Sequence, residues 1–339
     1  MPSPERGQGM RRREFLGALG GAAAWSTVAR AQERMRRVGI LMGYAEGDPE
    51  AQQRVTILRQ ALENLGWTND RNVQFEIRWA EANPERRRTQ AVEMAKGKPD
   101  VIVANTAPVA AALKQATTTI PIVLAAGADP VVSGLVANLS RPGGNITGFT
   151  VTEPSLGGKW LELLKELSPS MSRAGVVHDP ANPARSQYTH SIQTMNAKIK
   201  TDLRQLDVRD GSGISKAIDE FAHSAVGGAV GALLILPGAA TGVYRRNIIE
   251  AANRNRLPAI YPTRFYAVDG GLASYGADYQ DVFRRSASYV DRILRGENAG
   301  DLPIQLPTKF ELVVNLKTAK AMGLKISESF LLRADEVIE

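Results

Sequence analysis

Cysteine is absent from the 339 residues. Its absence excludes disulfides, thiolate metal sites, cysteine nucleophiles and a lipidated N-terminal cysteine, and it leaves export possible. Histidine is scarce, with only His178, His190 and His223, and neither an H-E-x-x-H helix nor any other metal-ligand spacing is present. His178-Asp179 is the one acid-base pair at a strand end, but no G-x-S-x-G elbow accompanies it. Gly211-Ser212-Gly213-Ile214-Ser215-Lys216 lacks the third glycine of a dinucleotide fingerprint. Gly158-Lys159 runs into Trp160 rather than completing a P-loop. Aromatic residues are only 6% of the chain and do not interleave with Glu85-Arg86-Arg87-Arg88, so that run reads as a solvated helix face, not a nucleic-acid surface. These absences argue against an enzyme, a cofactor and a nucleic-acid partner.

The N-terminus carries an address. Met10-Arg11-Arg12-Arg13-Glu14-Phe15-Leu16 contains R-R-x-F-L, a Gly/Ala-rich apolar run follows to Val28, and Ala29-Arg30-Ala31 forms an A-x-A site. Basic, apolar and small segments in that order predict a signal peptide over residues 1–31, of the twin-arginine type, cleaved after Ala31 to leave a periplasmic protein. The apolar run is too short and glycine-rich for a membrane span. Cleavage removes five arginines and two acids, lowering the formal charge from +7 to +4. The remaining surplus is spread along the chain.

The rest reads as two α/β halves. Arg37–Met42 is a short buried strand, and Val55, Leu58, Leu62 and Leu65 follow at helical spacing up to Gly66. Asn72–Trp79 alternates as a strand, and Asn83-Pro84 opens a helix with a cap and a first-turn proline. Val101–Ala104 and Ile120–Leu124 add two more strands around an Ala-rich helix. Strand and helix thus alternate four times, as in a parallel sheet covered on both faces. After Thr150 the grammar repeats: a helix from Pro154 bearing Trp160 and Leu164, a strand at Ala174–Asp179, and a helix opened by Asn182-Pro183. Further strands are expected at Leu203–Val208, Ala232–Leu236 and Pro258–Tyr261. The last portion offers one amphipathic helix, two extended pieces and a short helix, too little to bury a core of its own.

Between the halves, Val123–Val151 breaks the alternation with two turns, at Asp129-Pro130 and at Arg141-Pro142-Gly143-Gly144-Asn145. This stretch, AGADPVVSGLVANLSRPGGNITGFT, resembles the DPV-x-x-GLV-x-x-L-x-RPGGN-x-TG segment of periplasmic substrate-binding proteins of ABC transporters. It is most similar to the group whose better-known members bind aromatic and other apolar amino acids. The resemblance implies the type I periplasmic binding fold: two doubly wound parallel-sheet lobes joined by three crossings, placed near Gly148–Glu153, Tyr261–Tyr275 and Gln305–Leu312. The expected lobes are residues 36–150 with about 276–305, and residues 151–262 with about 310–330.

In open parallel sheets ligands lie beyond the carboxyl ends of the strands. The residues there are Tyr44, Asn105, Thr106, Ala126, Gly127 and Asp129 in the first half, and Asp179, Asn182, Pro237 and Tyr261 in the second. Thr150, Tyr275 and Asp278 lie at the crossings. The helix N-termini after Thr106 and Asn182 suit a carboxylate, and Asp129, Asp179 or Asp278 suits an ammonium. Tyr44, Tyr261 and Tyr275 suit an apolar wall. Each also has a plainer role: Thr106 and Asn182 as caps, Asp129 as a turn former, the tyrosines as packing. The expectation is a monomeric solute-binding protein that closes on an amino acid or related small carboxylate or amide and presents it to a permease. The alternatives are a ligand-sensing module of a receptor and a two-lobed α/β enzyme.

Overall fold

A computed structural model describes residues 34–339 except residues 82, 181, 183, 226 and 227. The expected signal peptide lies outside the described residues. From Arg36 onwards strands and helices alternate: β1 (Arg36–Met42), α1 (Pro49–Asn64), β2 (Val73–Trp79), α2 (Pro84–Lys96), β3 (Val101–Ala104), α3 (Ala107–Ala116), β4 (Ile122–Gly127) and β5 (Ile146–Thr150). The five strands form one parallel sheet in the order β2-β1-β3-β4-β5. Asn83 accepts from the Arg86 amide with Pro84 at the first helical position, and Gly66 takes φ +95 after α1. These are the stop and start signals expected of capped helices.

The second half contributes α4 (Leu156–Leu167), β6 (Met171–His178), α5 (Arg185–Ile199), β7 (Asp202–Asp207), α6 (Gly211–His223), β8 (Val230–Ile235), α7 (Ala239–Val243), α8 (Arg245–Arg254), β9 (Ala259–Tyr261), α9 (Arg264–Val268) and β10 (Ala273–Ala277). It is completed after α10 (Tyr279–Leu294) by β11 (Phe310–Asn315), α11 (Leu316–Met322), α12 (Glu328–Leu331) and β12 (Glu336–Ile338). The sheet order is β12-β11-β10-β9-β8-β6-β7.

Each sheet separates two apolar cores. In the first lobe Val38, Ile40 and Val103 face Leu58, Leu62, Phe283 and Val290 from α1 and α10. Their neighbours Leu41, Ile102 and Leu124 face Met94, Val109 and Leu113 from α2 and α3. That is the period-two alternation of strands buried on both faces. Thus α10, though late in sequence, completes the first lobe.

Three expectations need correcting. The second sheet is mixed, because β11 returns antiparallel to β10 after the chain's excursion through α10. The crossing expected within Tyr261–Tyr275 falls later: β10 pairs with β9, so the chain leaves the second sheet only after Ala277. The helix expected to open at Asn182-Pro183 begins at Arg185, with Ala184 at its cap and no side-chain cap bond. The first crossing follows Thr150, next to Gly148 at φ +131, where a Cβ would collide with the Leu124 carbonyl. Only glycine lets β5 pass so close to β4. On the third crossing, Gln305 bridges to Phe149 before the chain enters β11.

Candidate ligand-binding cleft

Because β1, β3 and β4 run parallel, as do β6, β8 and β9, their carboxyl ends gather on one edge of each lobe. The two edges face each other. Gln187 Nε2 on α5 donates to Asp129 Oδ2 after β4 at 2.9 Å. Arg264 Nη1 on α9 donates to Glu50 Oε1 on α1 at 2.8 Å. The lobes therefore meet along a seam bonded on both flanks.

Arg54 lies at the centre of this seam. It sits in the buried stripe of α1 with Ala51, Val55, Leu58 and Leu62, and is 3% exposed. Its guanidinium carbon lies 5.5, 4.7 and 5.8 Å from the ring centroids of Tyr44, Tyr279 and Phe265, the first two from the first lobe and the third from α9. Rings at that range attract the cation through their negative faces. Burial works against its charge, yet Tyr44, Tyr279 and Glu50 hold the pKa above the ordinary arginine value. Glu50 Oε2 is 3.9 Å from Nη2, and the buried Nε has no hydrogen-bond partner. A buried donor left unpaired costs its desolvation, so this atom is poised to meet an acceptor.

Tyrosines from both lobes gather around Tyr279, the ring nearest Arg54. Burial raises the Tyr279 phenol far above its usual range, and Tyr44, Arg54, Tyr188 and Tyr266 all lie within its electrostatic reach. Burial likewise pushes Tyr188 up to about 12, with Thr152 bonding its hydroxyl, and raises Tyr266, which bonds Thr241. All remain neutral hydroxyl donors at physiological pH. Beside Arg54 is a cavity of about 10 Å³ lined by Thr263, Gln280 and Glu311, among others, and Thr263 Oγ1 is also without a partner. Burial, and then the nearby Asp278 charge, push the Glu311 carboxyl up to about 7.

The residues singled out from sequence divide into three groups. Tyr44 is at the seam beside Arg54, and Asn105, which is 2% exposed, directly follows β3. Asn105 Oδ1 accepts from the Gly43 amide at 2.8 Å and its Nδ2 is unpartnered. Asp129 spans the seam through Oδ2 while Oδ1 accepts from the Val131 and Val132 amides, so it is also the turn former. A second group is bound up in local structure. Thr106 caps α3 at 3.4 Å, Asp278 caps α10 at 3.0 Å, and Asp179 accepts from the Ala240 amide at 3.0 Å. Asn182 donates to the Pro237 carbonyl at 2.6 Å. Thr150 Oγ1 donates to the Gly127 carbonyl, tying the first crossing to β4 just beyond buried Ala126.

The third group lies away from the seam. Tyr261, expected as a wall, is 0% exposed and stacks 5.2 Å from Tyr266 in the core of the second lobe, because its strand position faces α6 and α8. Tyr275 packs 6.1 Å from Phe310 beside the groove between α4 and α5. Sequence reasoning missed Arg54, Tyr188, Gln187, Phe265, Tyr266 and Tyr279. One signal was available for Arg54: a cation on the apolar stripe of an amphipathic helix must face a partner rather than water.

The ABC transporter substrate binding protein family matches residues 44–338 of this chain. The tyrosine-binding protein of Clostridioides difficile (strain R20291) is 27% identical over 266 residues, 78% of this chain and 75% of that protein. A conserved domain protein of Vibrio cholerae has a solved structure with 28% identity and a TM-score of 0.80, covering 90% of this chain and all 100% of that one. An ABC domain from Streptococcus pneumonia, solved in complex with L-Trp, has a TM-score of 0.80 at 21% identity, with 90% of this chain and 100% of that chain covered. Among the described residues no helix is long and apolar enough to cross a membrane. The chain belongs to the ABC transporter substrate-binding protein family, whose members are extracytoplasmic solute-binding proteins with two α/β lobes, not enzymes.

Proposed function

We propose that the mature protein, exported by its twin-arginine signal to the periplasm, binds an aromatic amino acid between its lobes and delivers it as a monomer to an ABC permease. One observation carries this reading: buried Arg54, with a free Nε, is ringed by Tyr44 and Tyr279 of the first lobe and Phe265 of the second, and Tyr188 and Tyr266 of the second lobe lie within reach of Tyr279. A guanidinium is the side chain best shaped for a carboxylate, and phenol rings give an apolar wall with polar tips. Arg54 takes the ligand carboxylate, Tyr44, Tyr188, Tyr266 and Tyr279 take its ring, and Asp129 takes the ammonium. The tyrosine-binding relative supports the same ligand class. A ligand touching both lobes favours the closed arrangement by its differential affinity, and the three crossings absorb the rotation.

The test is calorimetry and thermal shift on the mature chain with L-Tyr, L-Trp and L-Phe, beside tyramine and 3-(4-hydroxyphenyl)propionate. A ligand that binds only folded protein raises its Tm. At least one aromatic amino acid is expected to do so, with tyramine, which lacks the carboxylate, inactive. Binding of tyramine but not of any carboxylate would reverse the role given to Arg54; silence from all five would end the aromatic reading.

A further inference from the structure

The seam is flanked by a second set of charges, one of which, Glu50, also neighbours Arg54. Asp48 and Glu50 stand at the start of α1 in the first lobe, Asp48 as its cap. Opposite them, on the second lobe, are Arg245 at the start of α8 and Arg264 at the start of α9. Arg264 Nε and Nη2 grip Glu336 of β12 at 2.7 and 2.9 Å, and its Nη1 reaches Glu50 at 2.8 Å. Arg245 repeats the pattern: Nε holds Asp269 at 2.7 Å, and Nη2 lies 3.7 Å from Asp48 Oδ2. Each arginine is thus fixed by an acid of its own lobe and reaches one acid of the other.

This arrangement has a physical consequence. The own-lobe acids have already removed the rotamer freedom of two long side chains, so the cross-lobe pairs form with little further ordering. The four side chains are between 17% and 25% exposed, which weakens solvent screening without stranding a charge in the core. A rotation about the crossings that parts α1 from α8 and α9 by a few ångströms breaks both contacts. Arg245 follows β8, two strands from the β10 crossing, and so lies far out on that rotation.

We infer that Arg245 and Arg264 are positioning residues which, with Asp48 and Glu50, form a two-pronged latch between the lobes that holds the closed state and slows ligand release without touching the ligand. The inference rests on hinge closure but not on which ligand is bound. One member of each cross-lobe pair is removed while Glu50 stays beside Arg54: Asp48→Asn still caps α1, and Arg264→Met keeps an apolar stem. In stopped-flow binding, the D48N/R264M chain is expected to release ligand about fivefold faster, as for partly exposed pairs, with the association rate unchanged. Adding R245M should add nothing more, since its cross-lobe partner is already gone. Salt should speed release from the native chain and not from the variant. Unchanged release, or losses that simply add, would overturn the latch.

A ligand-free arm separates this result from failure of the ligand reading. The chain has no cysteine, so spin labels can be placed at Thr89→Cys and Lys216→Cys, exposed positions on α2 and α6. In the absence of ligand, D48N/R264M is expected to move the distance distribution between lobes towards longer values. An identical distribution would sink the latch whatever the protein binds.

Discussion

A single arginine does most to define this site. Arg54 occupies a position of α1 that helical periodicity assigns to the core, and its charge is tolerated there because three rings and Glu50 replace water. Arg54→Met keeps the volume and the apolar contacts. The variant is expected to fold with a Tm near that of the native chain and to lose affinity for an aromatic amino acid by about a hundredfold, the scale for removing one partner of a buried charged contact. Arg54→Lys should recover little, because an ammonium lacks the planar fork. A normal Kd in R54M would make the residue a packing element only. The places of Tyr44 and Asp129 at the seam were legible from the rule that ligands meet strand ends. Tyr188, Tyr266 and Tyr279 were not, because they lie on helices whose orientation depends on how the lobes face each other. Tyr261 misled for a related reason: a strand-end position does not reveal which sheet face the side chain takes.

At the scale of elements, β11 joins the second sheet beside the place where α10 leaves it, and this puts Glu311 close to charges from several elements. Burial, then Asp278 at the cap of α10, raises its carboxyl to about 7, while Arg264 of α9 pulls it down and Glu336 of β12 and Glu50 of α1 push it up. An acid whose pKa is higher in the folded chain binds more protons there than when unfolded, so its contribution to stability declines as pH rises. The window runs from the ordinary value of 4.5 to about 7. Urea midpoints are therefore expected to fall between pH 5 and pH 8, and Glu311→Gln should flatten that profile. An equal slope in the variant would assign the effect to other groups. The elements themselves were largely readable, since apolar runs ending in glycine or proline marked most strands. β12 escaped because Glu336–Ile338 is only three residues long, and the α10 excursion hid the point at which the chain changes lobes.

For the whole molecule, the two-lobed plan followed from alternation repeated twice, and the RPGGN run has the structural role expected of its glycines. Gly143 takes φ +73 and donates to the Gly300 carbonyl, pinning the loop against the segment that leads to the third crossing. The facing of the lobes was expected from the type I fold that the sequence resembles; what the sequence concealed was which side chains meet across it, since these are set by long-range contacts such as Gln187 with Asp129.

Trp160 links that facing to something measurable. It is 1% exposed, donates Nε1 to the Tyr275 carbonyl at 2.6 Å, and lies 5.3 Å from Tyr188. One indole therefore touches both the strand that leads into the second crossing and a ring of the seam. Trp67 and Trp79 belong to the first lobe, so in a W67F/W79F chain the tryptophan emission of the described residues comes from this ring alone. Its emission should change in colour or intensity when the lobes rotate, making the protein a fluorescent gauge of its own occupancy without any attached dye; a spectrum indifferent to saturating ligand would show that this corner of the second lobe does not feel the rotation.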